Sequence, residues 1–389
     1  MQATPLHVPQ RLARRLWHSL LGSLGLLLLA APLQAEQGVS AQVIKLGMVN
    51  AQSGNAAEIG LGMRQGAEAY LRRINAAGGI HGRQLLLLSR DDGYEPVRTA
   101  QHTRELIEQA QVFALFGYVG TPTSRAAVPI AEAHQVPYLF PFSGAQFLRT
   151  PLRPGVFNLR AAYFDETAAL AKHLQQDLQA QRIGLLMQDD SFGETVKSGL
   201  VAALQGQQQG LAVEARIRRN ALDGIEPAIR QLAQGQPDAI VFIGTYRQLA
   251  KAIASARAQR LQAPFLTVSF VGTEPFIEHA GALAEGVYIS QVMPSPYDTR
   301  LPLVRRYQRD MGDSAPGYAS LEGYLAAQVL VEALRRSGPQ LQRQRFIREL
   351  SSLHKDFGGF TVSFAADSHQ ASSTVYLTRV SQGRALPLP

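Results

Sequence analysis

The sequence predicts an α/β protein built as two consecutive lobes, each a parallel sheet covered by helices. Three observations predict it. From Ser40 onward, short apolar runs alternate with amphipathic stretches, the rhythm of strand–helix–strand units. That rhythm pauses around Pro151 to Pro154 and restarts with a second series of similar size. The 389 residues exceed ordinary single-domain length, and 46% hydrophobic against 17% charged residues is a globular balance with ample core for two lobes.

In the first series, Val43 to Val49 reads as a buried strand. A helix follows over Gly60 to Ala77, because Met63, Ala67, Tyr70, Leu71 and Ile74 keep the 3.6-residue spacing of one face. Gly78 and Gly79 stop it, as glycine past a helix end should. Gln84 to Ser89 is strand, Glu95 to Gln109 helix, Val112 to Phe116 strand, Thr121 to His134 helix and Val136 to Phe140 strand. In the second series Glu166 to Gln179 is helical, with Leu170, Leu174 and Leu178 in register. Strands follow at Ile183 to Met187, Leu211 to Ile217, Ala239 to Ile243, Phe265 to Val268 and Val287 to Val292. Helices at Phe192 to Leu204, Ile225 to Ala233 and Gln248 to Ala258 separate them.

The C-terminal part carries helices at Leu303 to Asp310, Leu321 to Arg336 and Arg345 to Leu353, then a β-rich ending at Thr374 to Val380. It is too short for its own core and must dock on the lobes already built. The chain therefore crosses between lobes more than once, which makes a hinge. The expected division is 41–160 plus 292–340 for the first lobe and 161–291 plus 341–386 for the second.

Residues 1–35 are expected to be a cleavable export signal outside the fold. Arg11, Arg14 and Arg15 form a positive segment, Leu16 to Ala31 is apolar, and a small-residue stop falls at Ala35. The apolar part is short of the about 20 residues a membrane span needs. The Arg14–Arg15 pair also admits a twin-arginine signal. The chain has no cysteine, so it has no disulfide, no thiolate metal site, no cysteine nucleophile and no attachment point for a lipoprotein anchor. Three of the eight net positive charges lie in the leader, and the rest are scattered along helices. That is a solvated surface, and no nucleic-acid partner is expected.

Gly60-Leu61-Gly62-Met63-Arg64-Gln65-Gly66 resembles a dinucleotide fingerprint, with Asp91–Asp92 ending the next strand. The fingerprint needs its first glycine in a tight turn directly after the strand, and here Asn50 to Ile59 intervene. These glycines are read as allowing close helix packing. No Gly-Lys-Ser/Thr phosphate loop, Gly-x-Ser-x-Gly elbow, His-x-His or His-x-x-x-His pair occurs, so neither a cofactor nor a metal is expected. The doublets Asp91–Asp92 and Asp189–Asp190 point to opposite faces of an extended chain and read as helix caps or loop ties, not as a catalytic pair.

The strand C-terminal ends converge, and in open α/β sheets that is where ligands lie, beside helix N-termini. Four loops qualify: Ala51 to Ile59, Gly117 to Thr123 with Tyr118 and Thr121, Pro141 to Gly144 with Ser143 and Gly144, and Gln188 to Gly193 with Asp190 and Phe192. Small hydroxyls and glycines at helix starts suit a carboxylate, and each loop taken alone also reads as ordinary capping.

Val43-Ile44-Lys45-Leu46-Gly47, Ser53-Gly54, Ile74-Asn75-Ala76-Ala77-Gly78-Gly79-Ile80-His81-Gly82 and Asp91-Asp92 together resemble the opening of the periplasmic binding proteins for leucine, isoleucine and valine. The likeness continues through Gly117 to Ala127, Asp190 to Gly193 and Gly244 to Tyr246, ending near Tyr324. The resemblance implies two Rossmann-like lobes joined by three crossings, a periplasmic location, and a ligand in the interlobe cleft. It implies that Thr121 holds a ligand carboxylate, that Ser143 and Gly144 add donors, and that Phe192 and Tyr246 close from the second lobe. Two departures stand out. Ser269 occupies the position of the acidic residue that pairs with the ligand ammonium, and Ile59 that of a loop aromatic. Glu274 or Asp190 substitutes, or the ligand is an amide, a keto or hydroxy acid, or an aromatic acid. The implied role is a binder, not an enzyme, that delivers solute to a membrane permease or reports it to a membrane sensor. An enzyme on the same fold would need a paired-carboxylate or Ser/His arrangement that the sequence lacks, and a transcription regulator would need an N-terminal helix-turn-helix.

Overall fold

The computed structural model describes Gln2 and residues 36–388, so the export signal read in the leader lies, Gln2 apart, outside the described residues. In the first lobe, β1 (Val43–Asn50), β2 (Gln84–Asp91), β3 (Ala114–Phe116), β4 (Tyr138–Leu139) and β5 (Val156–Phe157) form a sheet ordered β2-β1-β3-β4-β5. Every pair in it is parallel. In the second lobe β6 (Ile183–Gln188), β7 (Leu211–Ile217), β8 (Ala239–Ile243), β9 (Phe265–Thr267) and β10 (Tyr288–Gln291) repeat that order as β7-β6-β8-β9-β10, again in parallel. β6 and β8 are buried along their whole length, as strands covered on both faces must be.

Helices α1 (Ala57–Ala76), α2 (Pro96–Arg104) and α3 (Thr121–Ala133) cover the first sheet. The second carries α4 (Tyr163–Gln176), α5 (Ser191–Gln205), α6 (Ile225–Gln234), α7 (Tyr246–Ala258) and α8 (Thr273–Ala280). α9 (Pro302–Met311), α10 (Tyr318–Arg336) and α11 (Arg343–Ser351) follow. The glycines of the apparent fingerprint lie inside α1, and they set its distance to α10. A Cβ on Gly66 would stand 1.8 Å from the Ser320 carbonyl oxygen, and one on Gly323 2.1 Å from that of Met63. The two backbones therefore meet with no room for side chains.

The tail requires one correction. Residues 341–371, expected in the second lobe, pack on the first. Phe346 of α11 meets Phe113 edge to face at 5.4 Å, and Arg343 Nε donates to the Phe113 carbonyl at 2.9 Å. Phe364 packs against Phe157, and the His369 ring stacks on Phe157 at 3.9 Å. Only β13 (Tyr376–Ser381) and β14 (Arg384–Pro387) join the second sheet, antiparallel beside β10. β11 (His354–Asp356) and β12 (Thr361–Ser363) form a separate hairpin. The aromatic face left open by β4 and β5 draws the tail back before its last strands return. The chain thus passes between the sheets three times: after β5, after β10 and before β13.

Candidate functional site

With this strand order, each sheet has its switch point beside its first strand, between β1 and β3 and between β6 and β8. In the first lobe the chain leaves β3 through Gly117 (φ 67°) and Gly120 (φ 104°), a conformation that favours glycine, and enters α3 at Thr121. The turn brings the Thr121 hydroxyl within 2.9 Å of the Ser143 hydroxyl after β4, both sealed from water. Gly144 is required next to them, since a Cβ there would lie 2.6 Å from the Tyr163 ring, and the Gly144 carbonyl accepts from Tyr163 N.

From the second lobe, Phe192 packs on Phe270 at 4.5 Å and on Tyr163 at 5.4 Å. Phe270 in turn reaches Tyr94 and Phe142 of the first lobe at 5.8 and 5.9 Å. The lobes therefore meet across an aromatic layer. Around it run polar ties: the Glu58 N–H donates to the Tyr246 hydroxyl at 3.4 Å, Asn55 Nδ2 to the Asn220 carbonyl at 2.8 Å, and Asn220 Nδ2 to the Gly93 carbonyl at 3.0 Å. Arg219 pairs with Glu95 at 3.0 Å. Tyr246 also stacks on His279, whose Nε2 lies 3.0 Å from Glu58.

Thr121, Ser143, Gly144, Phe192 and Ser269 gather around this layer, with Tyr246 at its rim. One expected residue does not join them. Tyr118 is buried in the first lobe, its hydroxyl 3.1 Å from that of Thr103 and its ring against Tyr138. It follows a strand, and strand alternation turns it into the core. Asp190 stands at the edge of the layer while capping α5: it accepts from the Phe192 and Gly193 amides at 2.9 and 3.4 Å and from Gln188 Nε2 at 2.6 Å, lies 3.6 Å from Arg219, and shares Gln188 Nε2 with the Tyr94 hydroxyl. The other doublet serves similarly. Asp91 accepts from Gln52 N, Gly93 N and the Ser53 hydroxyl. Asp92 accepts from Tyr94 N and the Thr99 hydroxyl, and burial pushes its carboxyl up to about 6.

Charged groups that sequence reading missed stand at the centre. Arg160, on the first crossing, donates from Nε and Nη2 to the two oxygens of Glu322 on α10, each at 3.0 Å. Both side chains are almost wholly buried, and the guanidinium lies 3.9 Å above the Phe142 ring. Glu166 on α4 accepts from Ser269 N at 2.8 Å, the Ser269 hydroxyl at 3.0 Å and the Ser290 hydroxyl at 2.7 Å. Burial raises its pKa, against the pull of Arg160. Glu274 stands elsewhere, accepting from Tyr318 N at 3.1 Å. The signal for Glu166 was present: it sits four residues before Leu170 on the apolar stripe of α4, a charge where the pattern asks for carbon. Among the described residues no group of His, Asp and Glu is arranged to hold a metal ion, and no helix is long and apolar enough to cross a membrane.

Residues 43–385 match the sequence profile of a family described as periplasmic binding protein. The leucine-specific-binding protein of Salmonella typhimurium is 25% identical over 310 residues, 78% of this chain and 82% of that one. The Leu/Ile/Val-binding protein of Escherichia coli K12 is 23% identical, with 79% and 83% covered. Among solved structures, a possible leucine/isoleucine/valine-binding protein from Rhodopirellula baltica superposes with a TM-score of 0.86 at 35% identity, covering 90% of this chain and 97% of that one. A substrate-binding periplasmic protein from Ralstonia solanacearum gives 0.84 at 28%, covering 89% and 100%.

Proposed function

The chain belongs to the periplasmic binding protein family, a family of binders and not of enzymes, and on that premise we propose that it carries a small carboxylate-bearing solute to an ABC-type membrane permease. The solute lies between the lobes, against Thr121, Ser143 and Gly144 on one side and Phe192, Tyr246 and Ser269 on the other. The observation that carries this reading is the buried Thr121–Ser143 hydroxyl pair at a helix start, facing aromatic side chains of the second lobe. Hydroxyls and helix N-terminal amides suit an anionic group, and the aromatic layer suits an apolar body.

An α-amino acid is the first candidate. The acidic group missing at Ser269 is supplied from a different element, because Glu166 sits on both donors of Ser269. Arg160, Glu166 and Glu322 are buried around the crossing and Arg149 is half-buried beside them, which makes two cationic and two acidic side chains. A zwitterion adds no net charge to that set, whereas a lone anion or cation does. The relatives' names, which specify leucine, isoleucine and valine, support the same class. Leucine titrated into the chain from Glu36 onward tests the reading through the unfolding midpoint, which is expected to rise in wild type and to respond less in Thr121→Ala.

A further inference from the structure

Two buried polar atoms next to the cleft have no partner. Arg160 uses Nε and Nη2 on Glu322, and its Nη1 is left without an acceptor although the side chain is 1% exposed. Three residues on, Tyr163 is fully buried and its hydroxyl is also unpartnered. A buried donor left unmade is costly, by about 1–3 kcal/mol and more when charged. Two of them on one short crossing therefore point to an acceptor that arrives from outside the chain.

The surroundings indicate what that acceptor is. The Ser143 hydroxyl stands beside that of Tyr163 and is already paired with Thr121. The Arg160 guanidinium is held flat over Phe142, whose ring also contacts the closing Phe270. Donors from a guanidinium, a phenol and a serine–threonine pair meet beside an aromatic wall. Glu322 fixes the guanidinium in place, so it is preorganised before any ligand enters. One group matches several donors, one of them cationic, and that is a carboxylate.

Resting on the reading of the cleft as the solute site, we propose that Arg160 Nη1 and the Tyr163 hydroxyl grip the ligand's carboxylate, which makes the first hinge crossing the determinant of acid over amide. Lobe closure then places the acid directly on a chain segment that must bend when the lobes open.

Tyr163→Phe is the variant of choice, because it removes an unpartnered hydroxyl and leaves the ring packing on Phe192. The probes are leucine, phenylalanine, 4-methyl-2-oxopentanoate and phenylacetate, with leucinamide as the neutral comparison, each titrated calorimetrically. The variant's unliganded melting midpoint is expected to be unchanged or higher. Its affinity for a bound carboxylate is expected to fall about tenfold or more, as loss of a hydrogen bond to a charged group does, with little change for the amide. Arg160→Lys is expected to do the same if it folds. Wild-type affinity in Tyr163→Phe, with affinity lost in Thr121→Ala, overturns this grip and leaves the cleft reading standing. Unchanged affinity in both overturns both. Binding by leucinamide alone, or by no carboxylate in the panel, also overturns it.

Discussion

Ser269 donates its backbone N–H and its hydroxyl to the same carboxyl group, that of Glu166, at 2.8 and 3.0 Å. The two residues lie 103 positions apart, in the short turn that follows β9 and in the first turn of α4. The Glu166 carboxyl therefore stands at the Ser269 position although it belongs to a different element, and Ser290 donates to it as well at 2.7 Å.

Glu166→Gln isolates the charge. The amide oxygen can still accept from Ser269 N and Ser290, and the Ser269 hydroxyl can turn to accept from the amide NH2. Leucine is expected to bind about tenfold or more weakly, while 4-methyl-2-oxopentanoate, which lacks the ammonium, is expected to lose far less. Calorimetric titration of both ligands checks it. Equal losses would remove the ammonium role from Glu166.

Gly66→Ala tests the reading of the apparent fingerprint as a packing device. The new Cβ would fall 1.8 Å from the Ser320 carbonyl oxygen, so α1 and α10 must separate. Overpacking of this kind is expected to cost about 1–3 kcal/mol in urea unfolding. Gly210→Ala is the control, because no atom lies within 4 Å of its added carbon. It is expected to stay within about 0.5 kcal/mol of wild type.

Glu274 ties α8 of the second lobe to the Tyr318 amide at the start of α10 in the first. Burial pushes its carboxyl up to about 7, while the backbone hydrogen bond pulls the other way. A raised carboxyl pKa favours the protonated form in the fold. Its stabilising contribution is therefore complete below the unfolded value near 4.5 and is lost as pH rises through about 7. Glu274→Gln carries no such proton. Melting midpoints measured from pH 4.5 to 8 should show the variant gaining on wild type as pH rises, with the difference level above pH 8. A pH-independent difference would contradict the assignment.

Most of the fold was legible because strand and helix periodicity is local. β7 and β8 fall where the apolar runs end, at Leu211–Ile217 and Ala239–Ile243. α1 begins three residues before Gly60, and its N-cap Ala56 offers no side-chain signal. α8 leaves little sequence signal because it is short and lies between Gly272 and Gly281. The β-rich end of the tail is visible in the sequence, whereas the pull of Phe140 and Phe157 on Phe364 is a matter of tertiary packing that no local pattern marks. The site divides in the same way. Thr121, Ser143 and Phe192 lie at strand ends and helix starts, which sequence patterns mark. Arg160 and Glu322 are 162 residues apart and carry no mutual signature along the chain. Tyr118 sits in a qualifying loop, yet strand alternation directs its side chain into the core of the first lobe.

The most direct test of the central claim is a leucine titration of wild type and Thr121→Ala side by side, read as unfolding midpoint. At 100 times the dissociation constant a ligand adds about 2.7 kcal/mol of stability. The wild-type midpoint is expected to climb accordingly, and the variant is expected to need several-fold more leucine for the same rise, having lost one buried hydrogen bond. Superimposable curves from the two proteins, or a wild-type midpoint that does not move with leucine, would contradict a leucine-type carboxylate bound at Thr121.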